Sequence, residues 1–166
     1  MILIIMRHGE AVPYQINDKS RVLTRFGVSQ SEAAGKRLAR FLESQGLPAS
    51  IDQVLVSPYL RTQQTFEAVS ESISFAHKTD TDAITPMGES FGVHDIIAGY
   101  AHGDEQGLGA AQQLMLISHM PLVSLLADKV CAGFHGKIFD TADILVIDYD
   151  PATNTGAQLA LFQSMN

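Results

Sequence analysis

The stretch ILIIMRHG, residues 2–9, decides how this chain is read. A short apolar run rich in isoleucine suits a strand buried on both faces, as in a parallel sheet. The run then breaks abruptly into a cation, an imidazole and a glycine: Arg7, His8 and Gly9. Two later stretches repeat the pattern. QVLVS (53–57) runs into Pro58-Tyr59-Leu60-Arg61, and QLMLIS (113–118) runs into His119-Met120-Pro121. Each apolar strand delivers an Arg, a His or both at its end. In open parallel sheets ligands bind at the carboxyl ends of the strands, so these residues are the first candidates for chemistry.

Working outward, Thr24 reads as the N-cap of a helix through about Ser44, with Gly46 as its stop signal. Ser57 reads as an N-cap and Pro58 as the first residue of a second helix running to about Ile73. Residues 74–90 hold a short strand, 91–102 a helix interrupted by Gly92 and Gly99, and Pro121 starts a helix to about Ala132. DILVIDY (143–149) and AQLALF (157–162) flank the turn-rich DPATNTG and pair antiparallel. Alternating strands and helices predict a three-layer α/β/α fold around a mostly parallel sheet. Its 166 residues fit a single domain, 1–166.

A formal net charge of −7 argues against nucleic acid as a partner, because a phosphate backbone needs a basic face. No apolar run is long enough to span a membrane, and the N-terminal stretch lacks the basic leader of a signal peptide. The single cysteine, Cys131, has no disulfide partner and reads as a small buried hydrophobe. Together these features predict a cytoplasmic protein.

The acidic total leaves room for a small cationic pocket. Arg61 falls in the first turn of its helix, where its side chain leans back toward the helix N-terminus. Free backbone N–H groups favour an anion there, and a guanidinium fork suits phosphate oxygens. Arg7 beside His8 disfavours the imidazolium and keeps the ring partly neutral near pH 7, and a neutral imidazole is a nucleophile. Gly9 lets the backbone pass close to a ligand or take a positive φ. A phosphate between Arg7 and Arg61 would present its phosphorus to His8, with His119 as a further donor. A metal site is the rival use of His8 and His119. Arg7 would repel the cation, and neither Cys nor clustered carboxylates accompany them. His77, His94, His102 and His135 have no comparable setting and read as surface or structural residues.

RHG alone is a weak signal. RHG combined with LTRFG (23–27), SPYLRTQQT (57–65) and SHMP (118–121), in this order, resembles the histidine phosphatase superfamily, also called phosphoglycerate-mutase-like. The small size and the segments SRVLT (20–24) and ITPMGE (84–89) resemble its SixA-type phosphohistidine phosphatases. The resemblance implies the phosphoglycerate-mutase-like fold in a minimal form without a large cap. It implies phosphoryl transfer through a phosphohistidine at His8, with Arg7, Arg61 and His119 in the catalytic site and no metal or other cofactor. Arg21, Gly9 and Ser57 are expected at the substrate. Larger relatives carry a catalytic acid in an inserted cap, for which residues 74–112 leave little room. Glu89 is the candidate proton donor. The expected partner is a histidine-phosphorylated protein, such as a histidine-phosphotransfer domain. The alternative is a phosphatase for small phosphate esters. A non-catalytic phosphate-binding module fits poorly, since nucleophile and arginines are all present.

Overall fold

The strand Ile2–Arg7 (β1) buries its four middle residues, and successive side chains point to opposite faces. Leu3 and Ile5 join one core, Ile4 and Met6 the other. This is why the stretch reads as a continuous apolar run. The computed structural model describes residues 1–13 and 17–164. After β1 come helix α1 (Arg25–Ser44), β2 (Ser50–Val56), α2 (Leu60–Val69), β3 (Ser74–Asp80), α3 (Ser90–His102), β4 (Gln113–Ser118), α4 (Leu122–Val130), β5 (Ile144–Asp150) and β6 (Thr155–Phe162). Short 3-10 turns stand at Asp18–Ser20 and Asp82–Ile84.

The six strands form one sheet in the order β3-β2-β4-β1-β5-β6. The neighbours from β3 to β1 pair parallel, whereas β5 runs antiparallel to both β1 and β6. The expected three layers are present. α1 and α2 cover one face through Ala34, Leu38, Leu42 and Val69. α3 and α4 cover the other through Val93, Ile97, Leu122 and Leu126.

Local signals account for most helix ends. The Gly27 amide donates to Thr24 Oγ1 at 2.9 Å, the expected N-cap. At the other end of α1, Gly46 takes a positive φ of 75°. Its amide bonds to the Glu43 carbonyl, and the Leu47 amide to Leu42, which closes the helix in a Schellman motif. α3 spans residues 90–102 without a break at Gly92 or Gly99, both of which face open space.

The start of α2 departs from expectation. Its N-cap is Tyr59, with no side-chain cap, and Leu60 is the first helical residue. Ser57 stands two residues ahead of that cap, and its hydroxyl bonds to His119 and to the Tyr59 amide. α2 and α4 also end earlier than expected, at Val69 and Val130. Among the described residues, no helix is long and apolar enough to cross a membrane.

Candidate active site

β1, β2 and β4 run parallel, and their carboxyl ends are in register: Met6 and Val56 both lie opposite Ile117, and Arg7 opposite Ser118. The chain leaves all three strands at one level. There the His8 amide bonds to the Ser118 carbonyl at 3.0 Å and the Ser57 amide to Ile117 at 3.2 Å. Sheet pairing thus brings His8, Ser57 and His119 to one edge. The rings of His8 and His119 lie edge to face, 5.2 Å apart.

Hydrogen bonds fix the state of His8. Its Nδ1 lies 2.7 Å from the Gly9 carbonyl, which can only accept, so Nδ1 carries the proton. Nε2 therefore holds the lone pair, and Arg61 Nε donates to it at 3.3 Å. Burial is the main reason the His8 pKa falls to about 3, and Arg61, Arg7 and Arg21 push it the same way. The ring is neutral as expected, but burial outweighs the neighbouring cations. His119 falls to about 2, again chiefly by burial and then by His8 and the arginines.

Ser57 and Tyr59 hold His119, and Arg7 is fixed nearby. Ser57 Oγ lies 2.8 Å from His119 Nε2 and accepts from the Tyr59 amide at 3.4 Å. With its proton turned to Nε2, the Ser57 hydroxyl would leave the His119 proton on Nδ1. That atom is buried without a partner among the described residues. Tyr59 packs edge to face on His119, and the Arg61 guanidinium stacks over the Tyr59 ring at 5.0 Å. Arg7 donates from Nη1 to the Phe139 carbonyl at 2.8 Å. The buried Asp143 carboxylate braces that turn by accepting from the Asp140 and Ser164 amides.

Arg21 reaches the site through Asp18, a residue to which the sequence reading assigned no role. Arg21 donates from Nε to the Val12 carbonyl and from Nη1 to Asp18 Oδ1, at 2.8 and 3.0 Å. Arg61 donates from Nη1 to the Asp18 carbonyl at 2.8 Å and from Nη2 to Asp18 Oδ2 at 3.2 Å. The carboxylate of Asp18 thus bridges two arginines of the site, one oxygen to each.

Gly9 has no positive φ. Instead, a Cβ there would stand 2.5 Å from the Gly27 carbonyl oxygen and from Ser31 Oγ, so Gly9 is required by close packing on α1. Its amide donates to Thr65 Oγ1 at 3.0 Å. Glu89 is the exposed residue preceding α3, and its carboxylate makes no hydrogen bond to His8, Arg7, Arg61 or His119. The lesser candidates behave as structural groups. Cys131 is buried, and burial raises its thiol pKa. His94 and His102 bond to Asn154 in the β5–β6 turn, at 2.7 and 3.1 Å.

A neutral imidazole whose Nε2 lone pair meets Arg61, in the field of Arg7 and Arg21, can attack an electrophile that carries negative oxygens once that electrophile takes Arg61's place on Nε2. Comparison with known proteins places this arrangement. Residues 3–84 match the model of the histidine phosphatase superfamily (branch 1). The chain is 30% identical over 156 residues to the phosphohistidine phosphatase SixA of Escherichia coli (strain K12), covering 93% of this chain and 89% of that one. It is 34% identical over 140 residues to the phosphohistidine phosphatase SixA homolog of Haemophilus influenzae, covering 82% of this chain and 79% of the homolog. The structure of the protein histidine phosphatase SixA complexed with tungstate is similar, with a TM-score of 0.83 and 28% identity over 98% of this chain and 97% of that one. Sequence and fold agree, and the chain belongs to the histidine phosphatase superfamily, branch 1.

Proposed function

We propose that this chain is a phosphohistidine phosphatase that removes phosphate from a histidine-phosphorylated protein. The observation that carries the reading is His8 itself: a neutral ring, its proton held by Gly9, its Nε2 lone pair turned toward Arg61. A phosphoryl group held by Arg7, Arg61 and Arg21 takes the place that Nε2 now shares with Arg61. Nε2 attacks phosphorus, and the phosphorus–nitrogen bond to the substrate imidazole breaks with its electron pair leaving on that nitrogen. Water then attacks the phosphorylated His8 and releases phosphate. Fixed guanidinium groups meet the charge on the equatorial oxygens throughout. His119 donates from Nδ1 to a phosphoryl oxygen, and Ser57 orients it.

The relatives named phosphohistidine phosphatase, matched over most of this chain, support the substrate class over small esters. So does the packing of α3. It buries Val93, Ile97 and Ala101 in the core, so the segment between β3 and β4 is spent on the sheet face rather than on covering the site. A histidine on the surface of a folded partner, such as a histidine-phosphotransfer domain, can then reach His8. A cytoplasmic setting fits such a partner.

The test is phosphate release from a histidine-phosphorylated transfer domain beside release from an aryl phosphate. Wild type is expected to prefer the phosphoprotein. His8→Ala is expected to lose about three orders of magnitude or more in kcat, because the nucleophile is gone. Preference for the ester would move the assignment to a small-molecule phosphatase.

A further inference from the structure

Asp18 is a carboxylate standing where an oxyanion-binding site would be expected to exclude one. Its side chain is 36% exposed, whereas that of Arg61, to which it bonds, is 5% exposed. It therefore lies on the outward side of Arg61, and His8 on the inward side. A leaving group departs from phosphorus opposite the attacking His8, that is, outward toward this carboxylate.

We propose that Asp18 determines leaving-group specificity, by accepting the N–H at the far ring nitrogen of the substrate's phosphorylated imidazole. The inference rests on the reading of the site as a phosphohistidine phosphatase.

The chemistry of the leaving group supplies the reason. An ester oxygen needs a proton delivered to it as its bond to phosphorus breaks. Asp18 is ill suited to give one. Burial opposes its charge, but Arg21 and Arg61 outweigh that and hold its carboxyl below the usual range. Glu89 has no bond to the site. An imidazole needs no proton at the breaking bond. Protonated at its far nitrogen, the phosphorylated ring is cationic. When His8 Nε2 bonds to phosphorus and the phosphorus–nitrogen bond breaks, the electron pair passes to the near nitrogen. The proton stays on the far one, and neutral imidazole departs. The positive charge moves to the ring of His8, which keeps its Nδ1 proton on the Gly9 carbonyl. A carboxylate at the mouth favours the cationic ring and aligns it. It offers an alcohol or phenol leaving group nothing and repels its developing anion.

The experiment compares kcat/KM for phosphoimidazole and for 4-nitrophenyl phosphate in wild type, Asp18→Asn and Asp18→Glu. Losing a hydrogen bond between charged partners costs about tenfold to a hundredfold. The phosphoimidazole-to-ester ratio is expected to fall by that factor in Asp18→Asn and to recover in part in Asp18→Glu. Equal losses on both substrates would reduce Asp18 to a support for Arg61 and overturn the proposal while leaving the phosphatase reading intact. Wild type that cleaves the ester but not phosphoimidazole would overturn both. Thermal melting establishes that each variant is folded. Asp18→Ser, small and uncharged, carries the same comparison if the asparagine variant does not fold.

Discussion

His8 is a histidine that burial has stripped of its usual role as a switch near neutral pH. Its pKa of about 3, and that of His119 at about 2, have a consequence for the folded state. The unfolded chain binds protons at these histidines as pH drops through about 6.5, while the native chain does not. Their contribution is therefore harmless above neutrality and becomes a growing penalty as pH falls from about 6.5 toward about 3. We expect chemical denaturation to show lower stability at about pH 5 than at about pH 7.5, by roughly 1–2 kcal/mol for each of the two histidines. His8→Asn is expected to lose about half of that difference. An unchanged difference would mean that other groups set the acid limit. At this scale the sequence exposed Arg7, His8, Arg61 and His119, because each follows an apolar strand directly or within one turn. Asp18 was hidden: Asn17-Asp18 resembles any turn, and its partner Arg61 lies 43 residues away. Ser57 was assigned to the site, but its bond to His119 spans 62 residues and depends on the pairing of β2 with β4.

At the scale of elements, the loop after β1 is clamped onto α1. A Cβ on Gly27 would collide with the backbone of Glu10, at its carbonyl oxygen and its amide nitrogen. The Glu10 amide is meanwhile held by Gln30 Oε1 at 2.9 Å, and its carbonyl by the Thr24 amide. Backbone cannot swing aside as a flexible side chain does. Gly27→Ala is expected to cost about 1–3 kcal/mol, read as a drop in melting temperature of a few degrees. A melting temperature at or above wild type would show that the loop yields. LTRFG was readable as a cap signal through Thr24. The close approach that requires its glycine was not, because it depends on how the loop returns over the helix. The same holds for α2. Pro58 is a sound helix-start signal, yet the neighbouring Ser57 is taken by His119, and the first turn begins at Leu60.

At the scale of the molecule, a net charge of −7 surrounds a pocket in which three arginines are concentrated. Folding brings the half-buried Arg7 and the buried Arg61 within electrostatic reach of each other. Burial lowers both of their pKa values, and each of the two is further strained by another arginine, Arg61 for Arg7 and Arg21 for Arg61. An oxyanion relieves that repulsion only in the native state. Inorganic phosphate at about 100 times its dissociation constant should therefore add about 2.7 kcal/mol to stability. Thermal unfolding with and without phosphate measures this, and Arg61→Ala is expected to abolish most of the shift. A full shift in that variant would place the anion elsewhere. The layered fold itself was legible from alternating strands and helices. The antiparallel turn of β5 against β1 was not, because a strand buried on both faces reads the same in either direction.

The pairing of β1 with β4 also bears on how the protein is made. The ribosome releases the nucleophile and Arg61 early, but the partner strand for β1 arrives only with residues 113–118 and His119 just after it. A nascent chain that stops short of β4 therefore exposes the reactive histidine without its second histidine and without the carbonyl of Ser118 that anchors it. On the proposed reading, the phosphate site is complete only once β4 has paired with β1 and His119 has followed it.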